Sequence, residues 1–213
     1  MKNKYAEVWN KSHEFWANTQ TVEYDNWMSG YDEVINNAVN IIDLGCGGSS
    51  ASNTRYLLSL NKNVVSCDFS KTALDIVGAI PNSKIKLFDM LETFPFEDDF
   101  ADIVVADLSL HYFKEEETFR VLSEIKRVLK KDGYLFFRLN SVNSIEFNNI
   151  IKSGKQEVEP RLYLTNNLQK RFFNKDDILK FFFDWEIIEI SEENMTRWSE
   201  DKIVWKCVVK NTK

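Results

Sequence analysis

Four short apolar runs in this 213-residue chain close on an aspartate: Asp43, Asp68, Asp89 and Asp107, spaced 25, 21 and 18 residues apart. Each interval is the length of one strand–helix unit. The runs at 39–44, 63–67, 84–88 and 103–106, with a fifth at 134–138, are short, and those at 39–44, 63–67 and 103–106 are rich in valine and isoleucine. That is the signature of strands buried on both faces, as in a parallel sheet. The segments between them carry helix signals. One spans 49–60 after a cluster of glycines. Ser70 caps 71–79, which stops before Pro81. A third, 115–131, sets Phe119, Leu122, Ile125 and Leu129 on one face and ends at Asp132-Gly133. Strand, helix and strand in this order dictate right-handed crossovers and a parallel α/β sheet. The carboxyl ends of its strands form the ligand crevice. Four carboxylates gathered there are costly unless donors meet them.

The end of the chain breaks the alternation. After a helical 176–183, two β-rich runs at 185–190 and 202–210 are joined by eleven mostly polar residues. That link is too short for a crossover helix, so the second run returns antiparallel to the first. The expected fold is therefore α/β: a Rossmann-like, seven-stranded, mostly parallel sheet with helices on both faces and an antiparallel C-terminal strand. The length suits one domain over 1–213 and leaves no room for a second of ordinary size. Cys46, Cys67 and Cys207 show no CxxC spacing, so no metal site is expected and a reduced, cytoplasmic setting is. No run approaches the roughly 18 apolar residues of a membrane span, and the polar start does not resemble a secretory signal. A net charge of −6 disfavours nucleic acid as a partner.

Three of the seven glycines fall at 45, 47 and 48, in Ile41-Ile42-Asp43-Leu44-Gly45-Cys46-Gly47-Gly48-Ser49. Glycines at a strand-to-helix turn let a ligand approach the main chain, and the helix start behind them suits an anion. A nicotinamide dinucleotide fold also uses such a turn. Its G-x-G-x-x-G fingerprint fails here because Ser50 stands in the third position. Asp43 would also oppose a pyrophosphate, whereas it suits an amino-acid ammonium.

Asp43-Leu44-Gly45-Cys46-Gly47 resembles the D-x-G-x-G motif of class I S-adenosylmethionine-dependent methyltransferases, and the likeness extends over most of the chain. The resemblance implies that Asp43, Gly45, Cys46 and Gly47 hold the methionine part of the cofactor. It implies that Asp68 binds the ribose hydroxyls and Phe69 packs on the adenine. Asp89 and Met90 would read the adenine edge, with Asp107 and Leu108 beside the sulfonium. The segment 124–130, followed by Gly133, is similar to the helix and turn before the family's fifth strand, and the terminal hairpin agrees with its reversed seventh strand. Ser49 departs from a third glycine found in many members. The implied activity is methyl transfer from S-adenosylmethionine, leaving S-adenosylhomocysteine.

His111, four residues past Asp107, is the one candidate base at the mouth where an acceptor should approach. It also suits a helix-start residue packed on the cofactor. Tyr112 shares its place. Tyr24 and Trp27 either fold over the cofactor, as part of an N-terminal helical lid over 1–38, or cover the sheet. Trp9 and Trp16 are expected to be core. The stretch 141–173 falls where related enzymes carry acceptor-binding insertions. Its Lys152, Lys155, Arg161, Lys170 and Arg171, interleaved with Tyr163 and Phe172, read as a cationic, aromatic pocket wall or as the solvated face of one or two helices. Among these, Arg161 is the candidate acceptor contact. No Pro-Pro-aromatic follows Asp107 and no cysteine occupies that loop, which disfavours nucleic-acid amino and C5-pyrimidine methylation. The arrangement is similar to tellurite-resistance and metabolite methyltransferases, so a small-molecule acceptor is expected. A macromolecule-directed enzyme and a non-catalytic cofactor-binding module are the alternatives.

Overall fold

A computed structural model describes residues 5–17, 24–48, 51–165, 168–195 and 202–213. Seven strands form the main sheet: β1 (Asn40–Leu44), β2 (Asn63–Asp68), β3 (Lys84–Leu87), β4 (Ala101–Asp107), β5 (Leu129–Asn140), β9 (Glu186–Asn194) and β10 (Ile203–Lys210). Their order is β3-β2-β1-β4-β5-β10-β9, and β10 alone runs antiparallel to its neighbours β5 and β9. The direction of winding reverses between β1 and β4, so the crevice lies at their carboxyl ends.

The continuous apolar runs are explained by alternation into two cores. Ile42, Leu44, Val104, Ala106, Phe137 and Leu139 pack on one face beneath α5 (Glu115–Val128) and α7 (Lys175–Phe181). Ile41, Val64, Ile103, Val105 and Phe136 pack on the other, against Leu57 of α3 (Ser52–Ser59), Ile35 of α2 (Asp32–Asn37), and Trp27 and Met28. The helix α4 (Lys71–Gly78) starts where expected: the Ser70 hydroxyl accepts the Ala73 amide at 3.2 Å.

Three expectations are corrected. The helix drawn over 115–131 ends at Val128, and β5 begins at Leu129. Asn211 is the cause. Its side-chain amide donates to the carbonyls of Lys126, Leu129 and Lys130, and its backbone exchanges hydrogen bonds with Asp132 and Gly133. The final strand thus captures groups that another helical turn would have used. The helix drawn over 49–60 is described from Ser52, following Ala51 in a left-handed conformation with φ +44°; residues 49 and 50 lie outside the described residues. The segment 141–173 is not one or two helices. It forms α6 (Ile145–Lys152) and a separate three-stranded antiparallel sheet of β6 (Glu157–Glu159), β7 (Leu162–Thr165) and β8 (Leu168–Arg171). No helix among the described residues is long and apolar enough to cross a membrane.

Asn211→Ala should strand buried carbonyls and lower unfolding free energy by about 1–3 kcal/mol. Urea denaturation should show an earlier midpoint with an unchanged slope.

Candidate functional site

The turn after β1 is held from two sides. The amides of Gly45 and Cys46 both donate to the Cys67 carbonyl at the end of β2, at 2.8 and 2.9 Å. On the other side the Ser109 hydroxyl donates to the Leu44 carbonyl at 2.7 Å. Gly45 has φ +73°, and a Cβ there would lie 2.5 Å from the Ser109 Cβ and 3.0 Å from the Met90 Cε. A Cβ at Gly48 would lie 2.9 Å from the Ala73 Cα, so α4 packs directly on the turn. The glycines are therefore required by close approach as well as by backbone angle.

The expected acids gather at this edge in distinct settings. Asp43 is buried and accepts a 2.6 Å hydrogen bond from the Thr54 hydroxyl of α3. Asp68 accepts the Ser70 amide at 2.8 Å on one oxygen and the Gly47 amide at 3.1 Å on the other. Burial raises its carboxyl above the usual range, against the pull of those amides and of His13. Phe69 beside it is half-buried. Asp89, half-buried, accepts the Leu91 amide at 3.0 Å. Leu108 adopts a left-handed φ of +55°, turning the chain sharply after Asp107.

Asp107 is engaged by a residue that sequence reasoning passed over. Arg138 of β5 donates to both its oxygens at 2.8 Å, donates to Asp25 at 2.7 Å, and lies 3.4 Å from Glu193. The guanidinium sits 4.6 Å over the Trp27 ring. Arg138 is 1% exposed, while the Asp25 and Asp107 side chains are 6% and 5% exposed. A lone cation in an otherwise apolar strand run was the available signal. The Trp27 indole donates to Asn53 at 3.0 Å, and Tyr24 stacks on Tyr56 at 4.0 Å while accepting the Met28 amide. Of the two readings for these rings, Trp27 takes the core one.

The helix α1 (Ala6–Ala17) lies over the glycine turn. The Ser70 hydroxyl donates to Asn10 at 2.6 Å. His13 would be 3.7 Å from a Cβ on Gly47; burial pushes its imidazole below the ordinary value, and the Asp68 charge opposes this. Trp9 is not core. It is half-buried, stacks on His13 at 5.8 Å and meets Tyr112 edge-on at 5.4 Å. The Trp16 side chain lies outside the described residues. His13 was visible in the sequence only as the second histidine.

Beyond Tyr112 opens a cavity of about 250 Å³, lined by Trp9, Tyr112, Glu146, Ile150, Lys155 and Lys170 among others. It lies between α1 and the 141–173 segment. His111 is buried, with its ring 4.2 Å from that of Tyr112 and its carbonyl accepting the Arg171 amide at 2.7 Å. Burial, then Lys170 and Lys202, hold its imidazole well below the usual value, so it is neutral at neutral pH. Burial also raises the Tyr112 phenol. Arg161 is not brought to the cavity. Its guanidinium pairs with both oxygens of Asp177, at 2.7 Å on one, and its amide donates to Glu157. Arg171 is likewise engaged, with Glu159 at 2.6 Å and the carbonyls of Pro160 and Phe113.

Arg138→Met should deprive the buried Asp107 and Asp25 carboxylates of their cationic partner and cost about 3–5 kcal/mol of stability. Thermal and denaturant unfolding of the variant measure this.

Residues 42–137 match the family model described as a methyltransferase domain. An uncharacterized methyltransferase of Schizosaccharomyces pombe is 32% identical over 117 residues, which are 53% of this chain and 45% of the relative. The chain thus spans less than half the length of that curated relative. A S-adenosylmethionine-dependent methyltransferase of Methanosarcina mazei superposes with a TM-score of 0.70 at 17% identity, covering 81% of this chain and 92% of that one. The 1,6-didemethyltoxoflavin-N1-methyltransferase of Burkholderia thailandensis, solved with that compound and S-adenosylhomocysteine, gives 0.71 at 12% identity over 98% and 86%. Sheet order, strand-end acids and matched segment agree: residues 42–137 match a methyltransferase domain, and the chain has the fold of these solved methyltransferases.

Proposed function

We propose that the protein is an S-adenosylmethionine-dependent methyltransferase acting on a small molecule. The observation that carries this is the pairing of the Gly45 cradle, which a Cβ would fill, with the buried Asp68 carboxylate that bridges the turn to α4. These residues fit the cofactor: the glycine turn with Asp43 for its amino-acid end, Asp68 for a ribose diol, and Phe69, Asp89 and Met90 for the base. When bound, the cofactor supplies an electrophilic methyl group on a sulfonium whose charge disappears on in-line transfer.

The chain's own contribution is positioning and exclusion of water. Arg138 fixes the Asp107 end of β4, and the left-handed Leu108 directs the following residues toward the cavity. Trp9 and Tyr112 wall off the acceptor from solvent. His111, neutral and buried, suits holding or orienting an acceptor better than removing a proton from a weakly acidic one. The volume of about 250 Å³ between α1 and α6 favours a small acceptor over a macromolecule. The Burkholderia thailandensis relative in fold, solved with a compact heterocycle, supports the same reading.

Calorimetric titration with S-adenosylhomocysteine tests the cofactor assignment. Binding to the native protein should be clear and should weaken by about tenfold or more in Asp68→Ala, through loss of a charge-assisted contact. Binding of NAD instead would overturn the assignment.

A further inference from the structure

One face of α1 lies against the glycine turn and the start of α4. Trp9, Asn10 and His13 are spaced three and four residues apart, so they share that face. Asn10 accepts the Ser70 hydroxyl at 2.6 Å, and the Ser70 amide donates to Asp68 at 2.8 Å. His13 stands over the turn itself. Its Cε1 would lie 3.7 Å from a Cβ on Gly47, and the Gly47 amide donates to the second Asp68 oxygen at 3.1 Å. Because Cε1 joins the two ring nitrogens, both are held close to the turn. Trp9, which lines the cavity, stacks on the imidazole at 5.8 Å with 27° between the ring planes.

Covering the turn does not by itself call for histidine. A phenylalanine would stack on Trp9 and shield Gly47 without drawing two nitrogens out of water. Burial presses the imidazole below its ordinary value despite the Asp68 charge, so at neutral pH it is neutral, with one nitrogen donating and the other accepting. Those nitrogens form no hydrogen bond to Asp68 or to any other described residue, so the two groups flank the same turn without closing on each other. Asp68 for its part is short of donors. The amides of Ser70, Gly47 and Phe69 favour its charged form, yet burial still holds the carboxyl above the usual range. A carboxylate has about four acceptor sites, so further donors would complete it.

We propose that His13 is a cofactor-binding residue, which with Asp68 forms a two-sided receptor for the vicinal hydroxyls of the cofactor's ribose. The inference rests on the S-adenosylmethionine-dependent reading of the chain. The two sides divide the work by chemistry. A hydroxyl both donates and accepts, whereas a carboxylate only accepts: Asp68 takes hydroxyl protons, and the neutral imidazole supplies the donor that a carboxylate lacks. Such a receptor discriminates against a sugar without hydroxyls, because both of its polar sides are then left unpaired. It also makes α1 part of the cofactor site, with Trp9 joining that site to the acceptor cavity.

The test is calorimetric titration of S-adenosylhomocysteine and its 2′,3′-dideoxy analogue into the native protein and into His13→Phe. Weak binding is read by displacement of S-adenosylhomocysteine. The phenylalanine keeps a flat ring over Gly47 and removes the nitrogens. Failure of S-adenosylhomocysteine to bind the native protein would sink the underlying reading. Where it binds, the native protein should hold it at least about tenfold tighter than the dideoxy analogue. His13→Phe should weaken S-adenosylhomocysteine by about tenfold and change the dideoxy analogue by less than about twofold, since the lost contact is one that only the hydroxyls make. The proposal falls if the native protein binds both ligands alike or if His13→Phe binds S-adenosylhomocysteine as the native protein does. It falls equally if His13→Phe weakens both ligands by the same factor, the mark of a side chain that only covers the turn.

Discussion

A guanidinium buried to 1% exposure needs a reason to stay charged, and Arg138 finds it in two carboxylates from separate segments of the chain. Burial opposes its charge, while Asp107 and Asp25 restore it and hold the guanidinium protonated. Breaking such a cluster from either side costs more than forming it yields, because the remaining charge has no water to turn to. The consequence is geometric. Asp107 ends β4, Asp25 lies in the N-terminal segment, and Trp27 lies beneath the guanidinium plane. One side chain thereby fastens residues 24–28 across the sheet at the edge where the crevice opens. Trp27 and Met28, both buried, then complete the second core.

The helix α1 meets the site through a hydrogen bond from Ser70 to Asn10 and the ring contacts of Trp9 and His13. Contacts of this kind are worth about 1 kcal/mol apiece. The strand ends beneath are fixed by the Arg138 cluster and by the close packing of Gly45 on Ser109. His13 faces Asp68 across this seam, so the acid that holds the glycine turn also senses α1.

The parts of this architecture written in local pattern were legible. The short apolar runs located the strands, although β5 begins at Leu129, well before its run at 134–138, and Ser70 marked the start of α4 through its own hydroxyl. The aspartate beat identified the edge that matters. What escaped depends on partners far along the chain. The end of α5 is set by Asn211, more than eighty residues away in sequence, so helical periodicity through Leu129 was misleading. Arg161 reads as an anion contact until Asp177 is seen to occupy it. The three strands of 157–171 are only three or four residues long, too brief for their pattern to separate them from a solvated helix. Trp9, expected in the core, lies half-buried beside Tyr112, and Trp27, open between two readings, is core beneath Arg138, which went unnoticed within an apolar run.

Energetic consistency distinguishes the two kinds of polar residue at the β5 end. Arg138 and Asn140 are two residues apart on one strand and so share a face of the sheet. The first is matched by carboxylates, and the side chain of the second by nothing among the described residues. An apolar residue at 140 would serve the core better, so the asparagine works against stability where it stands. Local choices that oppose the fold collect at functional sites, with the cost offset elsewhere. Here the offset lies one pleat away, in the Arg138 cluster and the packed glycine turn. Together they keep the strand ends rigid while Nδ1 of His111 and the Asn140 side-chain amide stay unmatched among the described residues. The site is thus organised by division of labour along a single strand: one residue spends its hydrogen bonds on the fold, and the next on the same face holds its own in reserve.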